Sequence, residues 1–153
     1  MPKIDMSNLE LRTGSVYPEP YNAMMQGRSS LRLGAAGGLT QFGANLVFLE
    51  PGAKSSMRHW HEQEDEFLIV TEGELVLIDD AGESPLRVGD CAAFPAGDAN
   101  GHHIVNNSDK RGAFLVVGTK AATETAHYSD VDMVAQVSDG NIRFHRRDGS
   151  PIP

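Results

Sequence analysis

An all-β domain with a closed or rolled sheet is the fold class this sequence predicts, and three features predict it. Short Val/Ile/Leu/Phe runs recur between turn signals, and no stretch keeps apolar residues at helical spacing for three turns. The 16 glycines and 8 prolines are spread along the chain rather than clustered, as expected for many turns between short elements. Runs such as Phe67 to Val70 are apolar at every position, so they are expected to be covered on both faces, as inside a sandwich or small barrel.

In chain order, residues 1–37 read as an extended N-terminal arm, because Pro18 and Pro20 sit in YPEPY and the small-residue stretch GAAGG follows. The barrel proper is expected over 38–120. Its strands are expected at Asn45 to Glu50, Phe67 to Glu72, Glu74 to Asp79, Leu86 to Val88, Cys91 to Phe94, His103 to Val105 and Phe114 to Thr119. Pro51-Gly52, Glu72-Gly73, the DDAG at 79 to 82, Gly89-Asp90, the loop from Pro95 to Gly101 and SDKRG at 108 to 112 separate them. Each separator offers glycine, proline or an Asx residue where a reversal needs positive φ or a preset angle. Residues 121–153 read as a C-terminal arm with a hairpin, since Val131, Met133, Ala135 and Val137 alternate with polar residues before SDGN, and Ile142 and Phe144 alternate after it. RFHRR at 143 to 147 reads as a charged edge strand. Cys91, at the head of its strand, reads as a small core residue.

A chain of 153 residues with 40% hydrophobic and 22% charged residues suits one soluble globular domain. The net charge of −8 argues against nucleic acid as a partner. With a single cysteine no intramolecular disulfide can form, and the first ten residues lack the apolar core of a secretory signal. No run approaches a membrane span, so neither a membrane partner nor a membrane location is expected. A cytoplasmic protein is the expectation. The apolar sheet and the proline-bearing arm suggest a homodimer.

Chemistry is concentrated in the histidines. Four of the six lie in two clusters, His59-Trp60-His61 and His102-His103, each beside a turn signal. A chance His-x-His is expected about 0.2 times in a chain of this composition, so the first pair is weak evidence alone. On a strand, however, His59 and His61 point to the same face while Trp60 points to the other. After the polar EQED, Glu66 opens the next strand and can bring a carboxylate back to the same point. A third imidazole from His102 would complete an N3O donor set with open positions for water or substrate. Glu62, Glu64 and Asp65 read as solvated turn acids. Trp60 and Phe67 read as packing residues, and His127 and His145 have no partner at useful spacing. No Ser-His-Asp or Cys-His pairing suggests a protein nucleophile.

These residues fall in two segments that resemble those of the cupin superfamily. The first runs Gly52, His59-x-His61, Glu66, Gly73, and the second runs Gly89, Pro95-x-Gly97, His102, Asn106. The resemblance implies a double-stranded β-helix, a jelly-roll barrel, with one metal. It implies no single reaction, since this superfamily hosts dioxygenases, isomerases, decarboxylases, seed storage proteins and sensor domains. Two departures are visible. Six residues rather than five separate Gly52 from His59, and Asn100 stands where the second segment's histidine is usual, with His102 and His103 following. Either can be the fourth ligand; His102 is preferred because it keeps the three-residue interval to Asn106 and shares strand parity with Ile104 and Asn106.

The expected function is therefore that of a metal-dependent enzyme acting on a small oxygen-rich metabolite. His59, His61, Glu66 and His102 are the expected ligands of one divalent transition-metal ion, with zinc, iron, manganese, nickel and copper all open. Asn100, His103 and Met57 are candidate substrate contacts near the barrel mouth. The alternative is a non-catalytic cupin that binds or senses a sugar or another small molecule.

Overall fold

A computed structural model describes residues 2–153 of the chain. It is nearly all β, as expected, with thirteen short strands in three antiparallel sheets. The six-stranded sheet has the order β1 (Arg12–Thr13), β2 (Arg28–Arg32), β3 (Phe42–Leu49), β10 (Gly112–Thr119), β5 (Glu66–Glu72) and β8 (Cys91–Phe94). A three-stranded sheet orders β7 (Gly82–Arg87), β6 (Glu74–Asp79) and β9 (His103–Val105). The third sheet orders β13 (Asn141–His145), β12 (Val134–Ser138), β11 (Thr123–Tyr128) and β4 (His59–His61). Among the described residues, no helix is long and apolar enough to cross a membrane.

Alternation along the strands builds the interior. Val47 and Leu49 of β3, Leu68 and Val70 of β5, and Phe114 of β10 share one face, and they meet Leu75, Leu86 and Ile104 from the facing sheet in one buried cluster. The turn from β5 to β6 needs Gly73: its φ is +71°, and a Cβ there would stand 2.7 Å from the Arg111 carbonyl oxygen. The strand β7 starts four residues before its expected beginning at Leu86. Asp79 pairs with Gly82, so the reversal uses only Asp80 and Ala81, and the polar GESP is tolerated because β7 is an edge strand.

Two expectations about burial are corrected. Phe67 is 43% exposed, so the outer face of β5 is not covered within the chain. Cys91 is exposed rather than part of the core, because it pairs with Ile69 and therefore shares the outward parity of Ile69 and Phe67.

Residues outside 38–120 also build sheets. The strand β2 pairs along β3, and the short helix α1 (Leu33–Ala36) packs on β3. At the other end, β12 and β13 form the expected hairpin, with β13 at a sheet edge. The intervening β11, not expected from the sequence, pairs with both β12 and β4. A second buried cluster of Met57, Ala126, Tyr128, Met133 and Ala135 lies under this sheet, with Tyr17, Tyr21 and Phe144 packed against it.

Candidate metal centre

Three strands and one loop position the histidines. The register of β11 on β4 sets Ala126 opposite His61, His127 opposite Trp60 and Tyr128 opposite His59. His59 and His61 therefore face the interior, while Trp60 and His127 stack on the opposite side with ring centroids 4.4 Å apart. Backbone bonds between His59 and His102 run both ways, at 3.1 and 2.9 Å. This antiparallel bridge places His102 directly opposite His59, on the same face. Glu66, at the start of β5, pairs with Phe94 of β8, and the Phe94 ring stacks on the His102 imidazole at 3.5 Å.

Three of the side chains converge, and His102 joins them through Glu66. The Nε2 atoms of His59 and His61 are 3.1 Å apart, His102 Nε2 is 2.8 Å from Glu66 Oε1, and His61 Nε2 is 3.8 Å from Glu66 Oε2. One donor atom each from His59, His61 and Glu66 fits within 4.8 Å, and the His102 ring centroid lies 5.1 Å from that of His59. Only 4% of His102 is exposed, so its imidazole points inward rather than to solvent.

These residues fit a divalent ion. His59 Nδ1 lies 2.8 Å from the Met57 carbonyl and donates to it, which leaves the Nε2 lone pair facing the cluster. Two imidazole nitrogens that share one ion at about 2.1 Å, with an angle near 90° between them, stand about 3 Å apart. Burial pushes the His59 pKa down, against the opposing pull of Glu66, so its imidazole is neutral near pH 7. Burial acts to raise Glu66, yet the hydrogen bond from His102 and the charge of the surrounding imidazoles outweigh it and hold the carboxyl below its ordinary value. The result is an anionic oxygen donor beside nitrogen donors. The ring nitrogens buried without a hydrogen-bond partner are Nδ1 of His61 and Nδ1 of His102, not the Nε2 atoms that face the cluster.

The surroundings hold this geometry. Arg58, next to His59 in the chain, pairs with Asp80 and Asp130 and donates to the Gly101 carbonyl at 2.8 Å, tying the two histidine segments together. A Cβ at Gly101 would fall 1.9 Å from Ser129 Oγ, so a side chain there would displace the Ser129 hydroxyl. Buried Glu124 of β11 accepts the backbone N–H groups of Glu62 at 2.8 Å and Gln63 at 3.0 Å, and its Oε1 lies 4.0 Å from His61 Nδ1.

The remaining expected contacts are placed differently. His103 turns away from the cluster, with Nδ1 2.8 Å from the Ser56 carbonyl. Asn100 receives the Asp80 N–H at 2.8 Å and donates to Asp79 Oδ2 at 3.2 Å, bracing the turn after β6. Met57 is buried in the second cluster beside Tyr128. The acids read as solvated are engaged: Glu62 Oε1 meets His127 Nε2 at 2.6 Å, Glu64 accepts the Ala121 N–H at 3.1 Å, and Asp65 accepts the Ala96 N–H at 2.8 Å. Tyr17, Phe94, Glu124 and Tyr128 shape the site and were not marked by any sequence signal. The partners of Tyr17, Glu124 and Tyr128 are remote in the chain, and none of these three falls in a recognisable motif.

A family model described as a Cupin domain matches residues 45–118. The crystal structure of a cupin-superfamily sugar phosphate isomerase from Silicibacter pomeroyi is 62% identical, covers 99% of this chain and 97% of that one, and superposes with a TM-score of 0.97. The chain belongs to the cupin superfamily. A second cupin-like structure, a candidate sugar phosphate isomerase from Acidithiobacillus ferrooxidans, is 26% identical over 82% of this chain and 80% of that one, with a TM-score of 0.74. A polyketide cyclase from Streptomyces resistomycificus, 22% identical over 78% of this cupin and 79% of its own chain at a TM-score of 0.61, shares the fold alone. No curated protein sequence matches.

Proposed function

We propose that this cupin is a metal-dependent isomerase of a phosphorylated sugar, with one divalent ion held by His59, His61, Glu66 and His102. The observation that carries the reading is the grouping of His59, His61 and Glu66, with His102 bonded to Glu66, in a chain 62% identical to a sugar phosphate isomerase. When bound, the ion supplies Lewis acidity for a sugar carbonyl or hydroxyl. Isomerisation also needs a group that carries a proton. Tyr17 is the proposed proton carrier at its hydroxyl. Burial keeps this phenol protonated, the Met57 N–H donates to its oxygen at 3.3 Å, and the Glu66 charge acts on it. Tyr128, also held protonated by burial, packs edge-on against Tyr17 at 5.5 Å and flanks the His59 ring at 5.6 Å.

The test is turnover of a panel of aldose and ketose phosphates by protein reconstituted with each candidate ion. Interconversion of at least one pair, slowed about 10-fold or more in Tyr17→Phe, is expected. No interconversion with any loaded ion would overturn the reading, and saturable binding without turnover would favour the sensing alternative.

A homodimer belongs to the same proposal. Phe42, Ala44, Phe67, Ile69, Leu115 and Val117 share the outer face of the six-stranded sheet by register, with Phe42 37% and Phe67 43% exposed. A second copy of the chain is the proposed cover. Sedimentation of a monomer alone at micromolar concentration would contradict it.

A further inference from the structure

A cavity of about 560 Å³ lies between the N-terminal strands and the tyrosine pair. Three arginines line it, Arg12, Arg28 and Arg32, against a single acidic residue, Glu10. Strand register explains the grouping. Arg28, Ser30 and Arg32 alternate onto one face of β2, and Arg12 pairs with Ser30 across β1. Ser30 in turn pairs with buried Val47, which pairs with Phe114 of β10, and Phe114 pairs with Val70 of β5, on the face that carries Glu66. The arginines therefore belong to the interior face of the same sheet that supplies a donor to the histidine cluster.

None of the three is neutralised by the protein. Among the described residues, the ion-paired arginines are Arg58 and Arg111, and Arg28 uses only its Nε, which donates to the Ser55 carbonyl at 2.7 Å. Burial holds Arg28 below its ordinary pKa, and neighbouring Arg32 pushes in the same direction while Tyr17 opposes. The fork of this half-buried guanidinium, unpaired and near a second cation, is free to meet an anion. On a chain of net charge −8, a cationic pocket is not a by-product of overall charge.

We infer that this cavity is the phosphate subsite of the cupin, with the Arg28, Arg32 and Arg12 guanidiniums, assisted by the Ser30 hydroxyl, gripping the dianion of a phosphate monoester. The inference deepens the sugar-phosphate reading and rests on it for the identity of the ester. Tyr17, Tyr128 and Ser56 also line the cavity, the four donors do not, and Ser56 Oγ is 3.2 Å from His59 Nδ1. A phosphate held at the arginines thus shares the cavity with Tyr17, the proposed proton carrier, and with Ser56, the neighbour of His59. Arginine suits the task because its planar fork binds phosphate oxygens in pairs.

The experiment begins with metal-stripped protein and inorganic phosphate, followed by phosphorus NMR or equilibrium dialysis, so that the ion itself cannot capture the phosphate. Saturable binding by the unmodified chain, weakened about 10-fold or more in Arg28→Met and in Arg32→Met with circular dichroism unchanged, is expected. If Arg28→Met does not fold, Arg32→Met and Arg12→Met, both at exposed positions, carry the test. No saturable phosphate binding, or binding undiminished in these variants, overturns the subsite. A second arm measures turnover of the loaded enzyme. Arg32→Met is expected to raise KM for a sugar phosphate about 10-fold and to leave KM for the same sugar without phosphate unchanged. Arginine-dependent phosphate binding in a protein that turns over no sugar phosphate would refute the isomerase reading and leave the subsite standing.

Discussion

The two polar interiors of this barrel are finished in opposite ways. Around fully buried Asn106, every side-chain group is used: Nδ2 donates to the Leu49 and Lys110 carbonyls at 2.8 Å each, and Oδ1 accepts the Ser108 N–H at 2.9 Å and the Ser108 hydroxyl at 2.8 Å. Around His59, two ring nitrogens of neighbouring histidines are left without a partner and two Nε2 atoms face each other at 3.1 Å. Both Asn106 and His102 belong to the second motif segment, four positions apart. Asn106 closes its loop with a completed network, whereas the histidine cluster carries unmet buried polar groups, which cost stability that completed networks return.

The sharpest way to break this contrast is to exchange the two adjacent histidines. His102→Ala is expected to weaken ion binding about 100-fold or more, whereas His103→Ala, whose ring meets only the Ser56 carbonyl, is expected to leave it within about 3-fold; metal titration with a competing chelator reads both. Next in size, Asn106→Ala should cost about 3 kcal/mol in denaturant unfolding of the metal-free protein, because four hydrogen bonds lose their partner in a dry site. The folded fraction should still bind the ion. The smallest expected effect concerns Glu124, which backs His61 while anchored by two backbone amides. Glu124→Gln removes the charge behind the imidazole and keeps one oxygen, which at the Oε1 position lies 2.8 Å from the Glu62 N–H and 3.3 Å from the Gln63 N–H. Ion affinity should fall about 10-fold with little change in unfolding midpoint.

How much of this was legible depends on where each signal resides. The strands from Phe67 to Thr119 were readable because apolar runs and glycine or Asx turns lie side by side in the sequence. The strand β11 was not, since its inward positions are Glu124, Ala126 and Tyr128, and a buried carboxylate breaks the apolar alternation that marks a strand. The same blindness hid Glu124 as the support of His61. Strand parity did identify which imidazole of the 102–103 pair faces His59, because period-2 geometry is fixed by the backbone. Long-range pairing was beyond reach. Glu62 meets His127, and Arg12 and Arg28 gather on one face, through contacts that only the folded sheet creates.

The most direct test is elemental analysis of stripped and reconstituted protein together with an anomalous-scattering map. One ion per chain is expected, lying between His59, His61, Glu66 and His102 and absent from His61→Ala with the fold retained. Carefully reconstituted wild-type protein that holds no stoichiometric ion, or an ion bound elsewhere, would contradict the account.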